Sequence, residues 1–279
     1  FTPNDTDEYS VSFTKQDGEK ETPPHITDTL SSQRYWTWPY WDIMSLYWLS
    51  NTRIGDASYV KTKLYYNTFE NGLYSWDDAN YSRQATSKSF RSFYDDKAVG
   101  GSVEAGTDLI TDNTLKGAVH YRRDTHKEWQ DIYSPRYFTE PTQTTEEDTW
   151  SVAAENTWHA TKSTDLVVGA SYNWRILSKA QDWTGTSLAG GSFINYPIAN
   201  SHSFDWQGAL IHRYSDTGRV HASLSSRTRF PTIFERFSSR FGGATSNPGL
   251  APERAITMEI GAADTVFGNT RLEGALFHS

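Results

Sequence analysis

Strand-like runs of alternating polar and apolar residues fill this chain, and the connections between them switch strictly between short and long. Period-two alternation sends successive side chains to opposite faces, so each run has one polar and one apolar face. Glu8–Gln16 sets Tyr9, Val11 and Phe13 against Ser10, Ser12 and Thr14. The run 58–69 sets Val60, Leu64 and Tyr66 against Lys61, Lys63 and Asn67. Likewise 114–123 divides Leu115, Val119 and Tyr121 from Lys116, His120 and Arg122. In 165–177, Leu166, Val168, Ala170 and Tyr172 oppose Asp165, Ser171 and Asn173. Further runs cover 42–54, 98–107, 150–159, 203–214, 219–227, 254–263 and 270–279, about eleven strands in all. Short turns fall near 55, 111, 162, 216 and 268; long loops cover 17–41, 70–96, 124–148, 178–202 and 228–253. Antiparallel strands with tight turns at one end and long loops at the other are the layout of a transmembrane β-barrel. A β-sandwich or a propeller supplies the alternation but does not require that asymmetry.

Composition points the same way. Aromatic residues make up 15% of the 279, with 11 Trp and 16 Tyr, yet the mean hydropathy is only −0.68. A soluble chain this aromatic would carry more Leu, Ile and Val to build its core. In a membrane barrel only alternate residues meet lipid, which keeps hydropathy low while aromatic girdles raise the Trp and Tyr count. No apolar run approaches the ~20 residues of a spanning helix. Zero cysteines exclude a disulfide framework and thiolate metal sites. A net charge of −8 without blocks of like sign argues against nucleic acid as a partner. Phe1 opens the chain without an initiator Met or a signal segment, so it reads as a piece of something longer.

The stretch 227–261 carries the sharpest motif. Arg229-Phe230-Pro231-Thr232 with Phe234-Glu235 leads to Asn247-Pro248-x-Leu250-x-Pro252-Glu253 and then Glu259-x-Gly261. Pro231 cannot donate to a ladder, and Asn247-Pro248 starts a turn, so local chemistry gives strand, long loop, strand. The order and spacing of these pieces resemble TonB-dependent outer-membrane receptors, and the stretches 6–24, 45–78 and 119–129 look like successive hairpins of the same barrels. The resemblance implies an N-terminal plug, a TonB-contacting segment and a barrel of about 22 strands. The fold class expected is therefore all-β: an antiparallel transmembrane barrel, about half of it present, with periplasmic turns and extracellular loops. Residues 1–279 read as the central part of that barrel, with no plug domain in this chain.

Catalytic chemistry reads as absent. Gly185-Thr186-Ser187-Leu188-Ala189 is one residue away from a nucleophile elbow but lacks the strand-turn-helix context. The eight His form no HExxH or H-x3-H pair, so no catalytic or metal residue and no cofactor is expected. Haem receptors of the resembled family usually place a histidine ahead of Asn-Pro-x-Leu, and none lies between Phe230 and Leu250, which argues against haem. Asp77-Asp78 and Asp95-Asp96 fall in the 70–96 loop; calcium needs several converging oxygens, so two separate pairs read first as solvated residues.

Ligand-binding expectations rest on Arg229, Arg236 and Arg240, interleaved with Phe230, Phe234, Phe237 and Phe241, and on Trp76 and Tyr81. Guanidiniums and aromatic rings suit anionic ferric siderophores; equally, the arginines could fold the loop on itself or pin the plug. Inward Lys61, Lys63, Lys116, Arg122, Arg175 and Arg213 are expected to pair with Glu104, Glu155, Asp165 and Asp205 in a polar lumen wall. Together these readings give a receptor of the Gram-negative outer membrane for TonB-energised uptake of a scarce nutrient, a ferric siderophore first. Its partners would be that small molecule, TonB acting through a plug, and outer-membrane lipid. The alternatives are a passive porin, an adhesive barrel, a receptor for cobalamin or another small organic cofactor, or a secreted β-rich binding protein.

Overall fold

The computed structural model describes residues 1–279 except Leu30, Ser31, Thr186, Leu188 and 238–244. In chain order the strands are β1 (Glu8–Gln16), β2 (Lys20–Glu21), β3 (Tyr35–Ile54), β4 (Ser58–Trp76), β5 (Phe90–Thr107), β6 (Asn113–Ile132) and β7 (Phe138–Thr139). There follow β8 (Gln143–Thr161), β9 (Thr164–Thr184), β10 (Ser192–Asn195), β11 (Ser201–Arg213), β12 (Arg219–Arg229), β13 (Glu253–Val266) and β14 (Thr270–His278). One short helix, α1, spans Ile233–Phe237. The long strands form one antiparallel meander, β1-β3-β4-β5-β6-β8-β9-β11-β12-β13-β14, with β2, β7 and β10 attached to β3, β6 and β9.

The tight turns lie where the sequence places them. Gly55 closes the β3–β4 turn at φ 62° and Asp112 the β5–β6 turn at φ 57°, a left-handed conformation that Gly takes freely and Asp tolerates. The long connections are shorter than the sequence suggests. β3 and β6 run 20 residues each and β9 runs 21, whereas a tilted strand crosses the hydrocarbon layer in ~9–11. Asp95 and Asp96 therefore belong to β5, not to a loop. Tyr35–Trp41 opens β3 instead of preceding it; Pro39 is absorbed where the β3–β4 register shifts between Thr37 and Tyr40, because a bulge needs no ladder donor from that residue. Beyond the apolar zone neither face must shed water, so alternation fades there. The backbone ladder, which is independent of side-chain pattern, carries on.

Register sorts the side chains into two faces. Val119 sits opposite Val103 and Val152, and Val152 opposite Tyr172, itself opposite Phe204. All five are exposed, as are Val11, Phe13, Leu46, Trp48 and Leu64 on the same face. One pairing row runs from Met258 through Leu224, Gly208, Val168, Asn156, Leu115 and Thr107 to Ser58 and Ile54. On β13 this row crosses the middle of the run Ile256, Met258, Ile260. On β3 it has already reached the bottom turn, while the apolar residues Trp48 and Leu46 lie higher up. The apolar band thus slants across the pairing rows, as it must when every strand is tilted to the band.

The opposite face is polar and ion-paired. Lys61 meets Glu104 at 3.7 Å, Lys116 meets Glu155 at 3.3 Å and Arg213 meets Asp165 at 2.6 Å, as the sequence pattern predicts. Other expected pairings change partner. Arg122 takes Asp124, Arg175 takes Glu147, and Lys63 lies over the rings of Tyr47 and Tyr65. Asp205 accepts from Thr228 and Asn173 instead of a cation.

Candidate functional site

The 228–253 connection does not hang free above the sheet; its first part folds onto the polar face. Five residues cannot hold a helix by propensity, and α1 is set by its flanks. Thr232 and Glu235 make a reciprocal cap: the Thr232 amide donates to Glu235 Oε2 (2.7 Å) and the Glu235 amide to Thr232 Oγ1 (3.2 Å). Arg229, the last residue of β12, clamps that cap from below. Its guanidinium donates to both oxygens of Glu235 (2.9 and 3.0 Å) and both of Glu253 (3.0 and 2.9 Å). Phe237 packs with Leu177 and Ala180 of β9, flanked by Tyr196 and Ile233. This small apolar cluster seats α1 on the wall.

Arg236 points into that wall and is fully buried. It donates to Glu147 of β8. Arg175 of β9, also buried, has Nε 3.3 Å from the same Glu147 oxygen, donates to the Pro231 carbonyl, and lies 5.1 Å from the Phe230 ring centre. Two guanidiniums therefore share one carboxylate beneath the strap that residues 230–237 lay on the wall. Beside them opens a cavity of about 930 Å³ on the polar face, lined among others by Phe69, Tyr94, Arg122, Arg175, Phe230 and Phe234. Its cations stand beside carboxylates, Arg122 with Asp124 and Arg175 with Glu147, so an entering anion would compete with them while the ring faces can stack a planar group.

Of the residues singled out from sequence, Arg229 and Arg236 come together at α1, and both are engaged in ion pairs. Arg240 and Phe241 lie outside the described residues, as do Thr186 and Leu188 of the near-elbow. Trp76 and Tyr81 meet each other at 6.5 Å. Trp76 donates to Thr37 (2.9 Å) and, by strand parity with Phe69, projects from the other face of the sheet. Asp77 is spent within its loop: burial pushes its carboxyl up, but hydrogen bonds from Thr86 and the Ala85 amide outweigh that and leave it below its usual value. Asp78 accepts from the Asn80 amide and Ser82. Asp95 faces Lys97 and Lys127, and Asp96 meets His126. Among the described residues no group of three or more His, Cys, Asp or Glu is placed to hold a metal ion. Sequence reasoning missed Glu147, which it placed in a loop. Its bond to Arg236 spans 89 residues, so no local signal marks it.

The cap carries a pH signature. The Arg229 hydrogen bonds, with the Thr232 amide, hold the Glu235 carboxyl down to about 2 from an ordinary 4.5. A lowered carboxylate stabilises fully above its unfolded value and loses that contribution as pH falls toward the folded one. The part of hydrogen-exchange protection at residues 233–237 that depends on Glu235, taken as the difference between wild type and Glu235→Gln and corrected for intrinsic rates, should hold steady from about pH 7 to 5. It should then decline between roughly pH 4.5 and 2. A difference unchanged down to pH 2 would remove Glu235 from the account of the cap.

The sequence model described as TonB dependent receptor-like, beta-barrel matches residues 2–279. The chain belongs to this TonB-dependent receptor β-barrel family. Among solved structures, the copper transporter OprC is 18% identical at a TM-score of 0.70, covering 95% of this chain and 42% of its own. The ferric yersiniabactin uptake receptor FyuA from Yersinia pestis is 12% identical at TM-score 0.71, covering 98% of this chain and 42% of its own. The ferric citrate transporter FecA, unliganded, is 12% identical at TM-score 0.70, covering 99% and 41%. At these identities the likeness is one of fold. This receptor-barrel chain spans less than half the length of those structures. No curated protein matches it. Membership places it in a family of the Gram-negative outer membrane whose solved members are receptors and transporters.

Proposed function

We propose that this chain is part of the barrel wall of an outer-membrane receptor that takes up a scarce nutrient with energy from TonB, the nutrient being a ferric siderophore. The observation that carries the reading is the cavity under α1, where guanidiniums and aromatic rings line the polar face of a barrel sheet. On this reading the apolar face meets outer-membrane lipid, the polar face encloses the lumen, and a plug outside these 279 residues contacts TonB. On the same reading Arg236 and Arg240 contribute to anion capture, Arg229 fixes α1 through Glu235 and Glu253, and Trp76 with Tyr81 lies apart from the cavity. FyuA and FecA carry ferric ligands in their names. The two methionines, Met44 and Met258, project from the apolar face, so they offer no thioether to the lumen for a copper cargo of the kind OprC is named for.

A deletion strain grown on single iron sources tests this. Growth should fail on one class of ferric chelate, and uptake of that chelate should stop when TonB is removed. Uptake that persists without TonB would assign the barrel to passive diffusion, and growth unaffected on every ferric source would remove iron from the proposal.

A further inference from the structure

Arg236 is buried completely, yet its Nε and Nη1 have no hydrogen-bond partner among the described residues. Its one partner, Glu147, is shared with Arg175, whose Nε faces the carboxylate without a hydrogen bond's alignment. The cluster therefore holds two positive charges against one negative, in a place where burial makes a surplus cation and unmade donors costly. Elsewhere in the strap the chemistry is satisfied: Thr232 and Glu235 cap each other, and Arg229 spans Glu235 and Glu253. The strain is local to the ionic contact between α1 and the wall, beside the apolar Phe237 cluster, and the adjoining cavity opens onto Arg175 and Glu147 themselves.

We propose that Arg236 is an anion site that the chain's own Glu147 occupies in the empty receptor, and that a carboxylate of the ligand replaces Glu147 on Arg236, leaving Glu147 to Arg175 alone and freeing α1 from the wall. This rests on the uptake reading above. Guanidinium forks pair with carboxylates two bonds at a time, and two donor nitrogens of Arg236 have no partner among the described residues. An incoming carboxylate satisfies donors that Glu147 leaves idle, so exchange is favoured although one ion pair is given up. Glu147 acts as an internal stand-in for the ligand: its charge balances Arg236 and lets the Phe237 cluster keep α1 seated.

Electron spin-echo distances in the full-length receptor, with labels at Phe234→Cys on α1 and Ala79→Cys on the 77–89 loop, test this directly. The wild-type background should give one distribution. Glu147→Gln should move most of the molecules to a second distribution, because two buried guanidiniums then lack any anion. Arg236→Met keeps the volume, removes the surplus charge and should stay closed, alone or combined with Glu147→Gln. Citrate alone at millimolar concentration should populate the second distribution in the wild-type background and not in Arg236→Met. A Glu147→Gln distribution identical to wild type, or a citrate response equal in both backgrounds, overturns the proposal. Growth assays report separately: loss of the iron phenotype with these distances intact would leave the anion site and remove only the nutrient assignment.

Discussion

Val119→Arg in the full-length receptor is expected to cut the folded, membrane-inserted population severely. Val119 is exposed on the apolar face, between Val103 and Val152. A charge facing the bilayer midplane of a barrel costs ~2–4 kcal/mol, which is roughly 30- to 700-fold in the folding equilibrium. The adjacent substitution His120→Arg projects to the polar face, beside Ser102 and Ser151; it gives up the hydrogen bond to Tyr65 but meets water instead of lipid, so it is expected to cost far less than Val119→Arg. Heat-modifiability on gels and outer-membrane abundance read both. Equal loss in the two variants would mean that the faces are not distinguished by lipid.

The second large effect concerns the edges. Among the described residues β1 pairs along its length only with β3, and β14 only with β13. Backbone groups left unpaired in hydrocarbon cost several kcal/mol each, and an open strand is a template for other chains. Residues 1–279 expressed alone are expected to aggregate in detergent, while the full-length receptor elutes as a single species. A monodisperse, protease-resistant 279-residue product would contradict the reading of this chain as part of a larger closed wall.

How far the sequence determines this structure depends on what the solvent enforces. In the band crossed by Leu115, Val119 and Tyr121, lipid on one side and water on the other impose strict alternation, and those strands are legible residue by residue. Turn chemistry at Gly55 and Asp112 is equally local. Above the band both faces are wet, so 124–132 and 143–148 read as loop although backbone ladders continue through them. The aromatic run at Tyr35–Trp41 is obscured by Pro39, whose missing donor falls at a register shift. Helix α1 is too short to show periodicity, but its Thr232-x-x-Glu235 cap is written in the sequence and could have been found. The partner of Arg236 could not: Glu147 is brought in by strands that are distant in the chain.

As a barrel wall, this sheet turns one face to lipid and the other to the lumen. Single cysteines placed in turn at positions 115–122 of β6 and 165–173 of β9, in the full-length receptor in membranes, measure it most directly. Labelling by a lipid-phase probe should alternate, strong at 115, 117, 119 and 121 and at 166, 168, 170 and 172, and weak between them, with a water-soluble probe showing the reverse. Uniform labelling along either strand, or preferential lipid-phase labelling at 116, 120 and 122, would contradict it.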